Sequence, residues 1–202
     1  MKIIKLIVIG LSLCFMQSIW AQPSPIPMLQ DTADQILSTL KQNKASLKQD
    51  HSIIYQAVER HLLPKVDVNG MARSVLGRQA WNKATPAERS QFAQAFTQLV
   101  IRTYSNPLAE YTNETIKFLP VKGSLDKRFV RVSSLIIRSN GKNIPLNYSL
   151  VAKNGDWKIY DLSVEGVSLL QSFRSQFAQA LQSSNMQTLI KEMRERSNKK
   201  AA

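Results

Sequence analysis

The stretch Trp157–Phe177, WKIYDLSVEGVSLLQSFRSQF, decides the fold of this 202-residue chain. Its first half alternates apolar and polar residues, as a half-buried β-strand does. The pair Glu165-Gly166 is a turn signal, and from Ser168 onward apolar residues recur at helical spacing. The stretch therefore predicts a strand that turns directly into an amphipathic helix. It contains no catalytic signature.

The amino terminus has the pattern of a secretory signal peptide. Lys2 and Lys5 precede an apolar stretch over residues 6–16, and Ala21 offers a small residue before a cut ahead of Gln22. The apolar stretch is too short to span a bilayer, which requires about 20 apolar residues. We therefore predict a signal peptide over residues 1–21 and a soluble, exported mature protein.

The mature chain, residues 22–202, is predicted to form a single domain with flexible ends at 22–27 and 197–202. The only cysteine, Cys14, lies within the signal peptide behind Leu13, where a lipoprotein signal needs a small residue, so neither lipidation nor disulfides are expected. Removal of Lys2 and Lys5 leaves 25 basic residues against 14 acidic ones, a formal charge of +11. Outside the cytoplasm, this charge favours anionic lipid headgroups or an acidic protein over nucleic acid. A solvated surface that only maintains solubility is the alternative.

The first half of the mature chain is predicted to be helical. Apolar residues repeat at helical spacing over 29–47 and 53–62, and Pro64 ends the second run. Asp67 is placed to cap a third helix that ends at Gly77. Thr85-Pro86-Ala87-Glu88 then has the pattern of a capping box with proline at the first helical position. It opens a long amphipathic helix that Pro107 should kink or shorten.

After Tyr111 the period changes to that of β-strands. Two pairs, Asn140-Gly141 and Asn154-Gly155, match two-residue type I′ turns and predict a three-strand meander, with a further strand near Thr115–Val121. The chain returns to helix at Ser168, and Ser184 with Gln187 suggests a cap for one last helix. Helices followed by an antiparallel sheet and closing helices predict an α+β domain.

Two-residue turns would also set the register of the meander. The predicted partners are Ile137 with Ile144, Leu135 with Leu146, Ile159 with Leu150, and Asp161 with Tyr148. One face would then carry Phe129, Leu135, Ile137, Ile144, Leu146, Tyr148, Leu150, Trp157 and Ile159. The other face would mix apolar residues, such as Val132 and Leu162, with polar ones. Apolar groups on both faces call for helices on one side and a ligand on the other, although core packing alone also explains them.

Few residues suggest chemistry. Ser168 follows Gly166 at a strand-to-helix turn, but Leu170 stands where a nucleophile elbow needs glycine, so Ser168 is interpreted as a helix cap. His51 and His61 lack a metal-ligand spacing. A hydrogen bond between Asp161 and Tyr148 would be either structural or an acid-base pair. No phosphate loop, zinc spacing or dinucleotide fingerprint is present, and no metal or cofactor is expected.

The closing stretch and several earlier residues resemble the MlaC family of periplasmic phospholipid carriers, which serve systems for outer-membrane lipid asymmetry and toluene tolerance. The match includes a segment near residues 75–77 and the long helix. The residues that carry it are Val75, Leu76, Gly77, Trp81, Phe92, Phe96, Leu99, Thr103, Tyr104, Leu108, Tyr111, Trp157, Tyr160, Asp161, Val164, Glu165, Gly166, Val167, Ser168 and Leu169.

The resemblance implies a fold like nuclear transport factor 2, with a curved sheet wrapped by helices around a deep apolar pocket for phospholipid acyl chains. It implies a monomeric, non-enzymatic carrier whose cargo is phospholipid. Its partners would be an outer-membrane lipoprotein complex and the substrate-binding ring of an inner-membrane ABC transporter. An enzyme of the same fold that acts on a lipid-like substrate through Asp161 and Tyr148 is the alternative. The residues expected to contact lipid are Val75, Leu76, Phe92, Phe96, Leu99, Val100, Tyr104, Leu108, Leu135, Leu146, Tyr148, Leu150, Ile159, Val164, Val167, Leu170 and Phe173.

Overall fold

Helices precede and follow a single antiparallel sheet in this structure, a computed structural model that describes residues 22–111, 113–138 and 141–198. The predicted signal peptide and the last four residues of the tail lie outside these ranges. The first half contains α1 (Ile26–Gln42), α2 (Ser52–Ala57), a π-helical turn (Val58–Leu62), a 3-10 turn (Leu63–Lys65), α3 (Val68–Leu76), α4 (Arg78–Lys83) and α5 (Pro86–Ala109). The second half contains β1 (Thr115–Phe118), β2 (Phe129–Ile137), β3 (Ile144–Lys153), β4 (Asp156–Val164), β5 (Val167–Ser168), α6 (Leu169–Ser183) and α7 (Met186–Asn198).

The α+β class, the meander and the additional strand β1 are confirmed, with strand order β1-β2-β3-β4-β5. The short strand β5 was not predicted. Glu165 and Gly166 both have positive φ, 50° and 87°, and this conformation folds the chain back onto β4. Val167 and Ser168 consequently pair with Val164 and Ser163 as a short hairpin before α6 begins. The predicted direct passage from strand to helix is therefore wrong, because the short strand β5 lies between β4 and α6.

The register predicted between β2 and β3 is wrong by one residue. Ile144 pairs with Ile136 instead of Ile137, so the connection cannot be the two-residue turn predicted at Asn140-Gly141; Asn140 lies outside the described residues. A slip of one residue moves the side chains of a whole strand to the opposite face. Leu135 therefore points away from the face that carries Leu146.

The turn between β3 and β4 follows the prediction, but the pairing changes farther along β4. Lys153 pairs with Asp156 around Asn154-Gly155, and Leu150 pairs with Ile159 as predicted. A β-bulge then leaves Tyr160 without a partner, so that Asp161 pairs with Ser149. The predicted pairing of Asp161 with Tyr148 is wrong, because the extra residue reverses the alternation of the strand.

One sheet face packs against the amino-terminal helix. Leu29 of α1 joins a sheet cluster formed by Val130, Val132, Tyr148, Leu150, Trp157 and Ile159. The indole Nε1 of Trp157 donates a hydrogen bond to the carbonyl of Pro23 at 2.7 Å. Residues that precede α1 and were expected to be flexible are thus tied to β4.

The predicted helix signals at Asp67 and Thr85 are confirmed. Asp67 accepts a hydrogen bond from the Gly70 amide at 3.2 Å, and α3 ends at Gly77. Thr85 and Glu88 form the reciprocal capping box. Pro107 lies in the final turn of α5, which continues for only two residues.

Other helix boundaries differ from the sequence prediction. The first helix ends at Gln42, and Leu47 is buried in the turns that follow. The last helix is capped by Asn185, whose side chain accepts from the Thr188 amide at 2.9 Å, because Ser184 instead donates to the Ala180 carbonyl. Helix α4 was not predicted. No helix within the described residues is long and apolar enough to cross a membrane.

Two further apolar clusters complete the core. A four-helix cluster joins α3, α5, α6 and α7, and its centre is an aromatic group with ring centroids 5.3–6.1 Å apart: Phe92, Phe96, Phe173 and Phe177. An amino-terminal cluster joins α1 and α2 to α5 through Leu40, Leu47, Ile54, Val58, Ile101 and Ala109. The sheet cluster lies beside both.

The turn at Glu165-Gly166 can be tested by two substitutions that should change the free energy of unfolding in opposite directions. A Cβ at Gly166 would meet no heavy atom within 4 Å, so Gly166→Ala should lower the free energy of unfolding by about 1 kcal/mol through backbone strain alone. Glu165→Asn should raise it by about 0.5 kcal/mol, since asparagine tolerates positive φ. Urea denaturation measures both. Stabilisation by Gly166→Ala would contradict this conformation of the turn.

Candidate apolar cavity

An apolar cavity of about 70 Å³ lies where the three clusters meet. Its walls come from the segment between α2 and α3, from the start of α3, from one side of α5, from β4 and from the start of α6. Among the described residues, Thr97 is the one polar residue that lines it, and the threonine hydroxyl donates to the Ala93 carbonyl at 2.8 Å. The lining residues are Val58, Leu62, Leu63, Val66, Val68, Met71, Phe96, Thr97, Val100, Ile101, Ile159, Leu162 and Leu169.

The β-bulge on β4 determines which side chains form the sheet wall of this cavity. Without the extra residue, strict alternation from Ile159 would place Asp161 on the same face. The bulge at Tyr160 instead places Leu162 on the face of Ile159, and both line the cavity. One inserted residue thus replaces a carboxylate by a leucine in the wall.

The opposite wall is irregular helix. The chain passes from α2 through a π-helical turn, which supplies Val58 and Leu62, to the 3-10 turn that begins at Leu63. Val66 then forms a parallel bridge with Ile159. The amide of the next residue, Asp67, donates to the Ile159 carbonyl at 2.8 Å. The carboxyl end of this wall is therefore attached to the sheet.

The structure brings only part of the predicted lipid-contacting set to this cavity. Phe96, Val100 and Ile159 line it. Val75, Leu76, Phe92, Leu99, Leu170 and Phe173 form the interior of the four-helix cluster, against which Tyr104 packs. Tyr148 and Leu150 belong to the sheet cluster, against which Leu146 packs, and Leu108 packs against the amino-terminal cluster. Leu135 lies on the other sheet face, Val164 is half-buried at the end of β4, and Val167 is 64% exposed.

Sequence reasoning missed most of the wall between α2 and α3. The apolar residues on both sides of Pro64, among them Val58, Leu62 and Val66, were an available signal that was interpreted only as helix periodicity. Leu162 was assigned to the opposite face because a bulge has no short sequence signature. Leu169 was recognised as part of the helix start, but not as a cavity residue.

Asp161 is part of the cap of α6. Its Oδ2 accepts a hydrogen bond from the Ser168 hydroxyl at 2.6 Å, and its Oδ1 accepts one from the Leu170 amide at 3.0 Å. Ser168 in turn accepts from the Gln171 amide at 3.1 Å, so its predicted capping role is confirmed. A carboxylate at a helix amino terminus is electrostatically favourable. The negative charge of Asp161 also acts on a nearby tyrosine: burial, reinforced by this charge, raises the pKa of Tyr104.

Tyr148 lies on the opposite face of the sheet from Asp161. Its ring contacts Phe118 with 5.6 Å between centroids. Burial raises the pKa of Tyr148 to about 12, although a hydrogen bond with Ser134 opposes part of the shift. The phenol therefore stays protonated at neutral pH, and no acid-base pair forms between these two residues. Within the described ranges, no three His, Cys, Asp or Glu side chains are grouped as a metal site.

Comparison with known proteins finds a matching family and similar proteins of two bacteria. Residues 30–195 match the family described as MlaC protein. The chain is 33% identical to toluene tolerance protein ttg2D of Pseudomonas putida over 80% of this chain and 75% of that protein. It is 31% identical to the intermembrane phospholipid transport system binding protein MlaC of Haemophilus influenzae, over 87% and 83% of the two chains.

A solved structure with the same fold contains lipid. The phospholipid-binding protein of Ralstonia solanacearum, in complex with a phospholipid, superposes with a TM-score of 0.78 at 26% sequence identity. The similarity covers 88% of this chain and 96% of that one.

Double-mutant cycles separate the capping role of Asp161 from a role with Tyr148. We expect Asp161→Asn and Tyr148→Phe to change the free energy of unfolding additively, within about 0.5 kcal/mol, because the side chains lie on opposite faces. Asp161→Asn and Ser168→Ala should instead couple by about 1 kcal/mol, since their side chains share a short hydrogen bond. Urea denaturation of the single and double variants gives both coupling energies. Strong coupling of the first pair would contradict the described register.

Proposed function

The chain belongs to the MlaC family, and we propose that it is a periplasmic carrier that binds phospholipid acyl chains in the apolar cavity. The observation that carries this proposal is a cavity between sheet and helices whose walls are apolar except for Thr97. The hydroxyl of Thr97 already has a partner, so the walls offer hydrocarbon a surface without an unsatisfied polar side chain. The phospholipid-bound Ralstonia solanacearum protein of the same fold supports this assignment.

The cavity must widen to hold an acyl chain. Pockets for drug-sized ligands measure about 300–1,000 Å³, whereas this one measures about 70 Å³. The wall best suited to move is the segment 58–66, because π-helical and 3-10 turns are less regular than the α-helices beside them. Its movement away from β4 would join the cavity to the sheet cluster, where Leu146 and Tyr148 lie.

The energy of chain burial is sufficient for such a change. Each buried methylene contributes about 0.8 kcal/mol, so two chains of roughly 15 methylenes give a gross term of about 24 kcal/mol. That exceeds the ceiling for non-covalent affinity, about 18–21 kcal/mol. A widening that costs several kcal/mol therefore still leaves tight binding. Release into water would be slow, so the carrier needs a docked complex that opens it.

The expected docking partners follow from family membership. We propose that the carrier, as a monomer without a cofactor, moves phospholipid between an outer-membrane lipoprotein complex and the substrate-binding ring of an inner-membrane ABC transporter. The formal charge of +11 on residues 22–202 would accelerate encounter with acidic surfaces on such complexes. No contact in the described residues favours the alternative enzyme, because Asp161 caps a helix and Tyr148 is buried on the other sheet face.

We expect residues 22–202, purified from a bacterial periplasm without detergent, to carry at least one phospholipid. The apolar walls of the widened cavity would be unfavourable to expose to water. Bound lipid should therefore leave only slowly. Native mass spectrometry followed by lipid extraction measures the occupancy. Protein that appears only at its lipid-free mass under gentle conditions would contradict the carrier.

A matched pair of leucines tests the location of the acyl chains. Leu162 lines the cavity, whereas Leu181 packs against the four-helix cluster outside it, and both are half-buried. Leu162→Gln should reduce lipid retention about tenfold or more, because an amide in an apolar site costs roughly 1–3 kcal/mol. Leu181→Gln should change thermal stability without changing retention. Equal retention by the two variants would place the acyl chains elsewhere.

A further inference from the structure

A second cavity, polar and about 220 Å³ in volume, adjoins the apolar one. It lies between the β3–β4 turn and the beginning of α3. Val66 lines both cavities and is the one residue that their linings share among the described residues. The other lining residues are Asp67, Lys153, Asn154, Asp156 and Lys158.

Side-chain contacts also connect the polar cavity to the movable wall. The ammonium group of Lys158 donates a hydrogen bond to the Pro64 carbonyl at 2.9 Å. Pro64 belongs to the 3-10 turn whose first residue, Leu63, lines the apolar cavity. A molecule that occupies both cavities would therefore contact the same short segment from two sides.

The charges that line the polar cavity are balanced. Two ammonium groups, on Lys153 and Lys158, face two carboxylates, on Asp67 and Asp156. Lys153 Nζ lies 2.8 Å from Asp67 Oδ1. The backbone of Asp156 pairs with Lys153 in the sheet, but its carboxylate makes no hydrogen bond or ion pair within the part of the chain that the structure describes and is therefore available. This local balance contrasts with the excess of 11 positive charges on residues 22–202.

From this arrangement, and on the basis of the proposed carrier function, we propose that the polar cavity binds the headgroup of a zwitterionic phospholipid. The phosphate is held by Lys153 and Lys158, and the headgroup ammonium is held by Asp156. The acyl chains continue past Val66 into the apolar cavity. A phospholipid with only negative charge would satisfy the lysines but leave Asp67 and Asp156 close to an anion, which is unfavourable.

The probes are three dioleoyl lipids that share their acyl chains and differ in the headgroup: phosphatidylethanolamine, phosphatidylglycerol and dioleoylglycerol, which lacks phosphate. Delipidated protein is incubated with vesicles that contain equal amounts of the two phospholipids and a small fraction of dioleoylglycerol. Bound lipid is then extracted and quantified by mass spectrometry. Circular dichroism and thermal unfolding of every variant verify that it is folded.

The carboxylate is tested by the ratio of the two phospholipids. Wild-type protein should take phosphatidylethanolamine over phosphatidylglycerol by about fivefold, the ratio expected for one partly exposed ion pair. Asp156→Asn should bring the ratio close to one. The control Asp34→Asn removes a carboxylate from the exposed face of α1, outside both cavities, and should leave the ratio unchanged.

The lysines are tested by phospholipid uptake relative to dioleoylglycerol. Lys153→Gln with Lys158→Gln should lower uptake of both phospholipids about tenfold while leaving dioleoylglycerol uptake unchanged, because only the phosphate contacts are lost. Glutamine can still donate to the Pro64 carbonyl. The control pair, Lys41→Gln with Lys191→Gln, makes the same change in charge at exposed helix positions and should have no effect.

Each contrary outcome has a separate meaning. A preference of the wild type for phosphatidylglycerol, or an unchanged ratio in Asp156→Asn, overturns the headgroup site while the carrier function stands. Equal effects of the lysine pair and its control also overturn it, since they reduce the role of the lysines to general charge. Failure of the wild type to take up any of the three lipids overturns the carrier function itself.

Discussion

The β-bulge at Tyr160 is the constraint on which the cavity and the closing helix both depend. One extra residue in β4 places Asp161 at the amino terminus of α6 and Leu162 in the cavity wall. Asp161 can then bind the Ser168 hydroxyl and the Leu170 amide, which fixes the direction in which α6 leaves the sheet. The unpaired residue also contributes to packing, because the ring of Tyr160 contacts both Phe129 and the four-helix cluster.

The division of the core into three clusters explains how a stable domain can also open. The aromatic centre of the four-helix cluster is closely packed, with Phe92 and Phe96 buried, and it reaches the cavity through the ring of Phe96. The segment between α2 and α3 has no such centre of its own. It is attached to β4 near its carboxyl end, by the hydrogen bond from Lys158 to Pro64 and by the contacts of Val66 and Asp67 with Ile159. Stability and ligand access are thus assigned to different parts of the chain, as expected for regions of unequal local stability.

The two cavities place contrasting chemistry on either side of one residue. The walls beyond Val66 are hydrocarbon on one side, whereas on the other side Lys153, Asp156 and Lys158 provide balanced charge. A phospholipid has the same division along its length. The charged lining residues come from the ends of β3 and β4 that flank their turn and from the cap of α3, so the hairpin contributes to the candidate site as well as to the topology.

The sequence by itself determined the features whose causes lie within a few residues. These include the capping of α5 by Thr85, the cap at Ser168, the turn at Asn154-Gly155 and hence the α+β order of elements. The resemblance to the MlaC family also came from sequence alone. The register of β2 on β3, the bulge at Tyr160 and the composition of the cavity were decided only by the tertiary structure. Register depends on the sum of contacts across the whole sheet, and a shift of one residue exchanges its faces. Local sequence signals therefore predicted each element, whereas only packing selected which side chains meet.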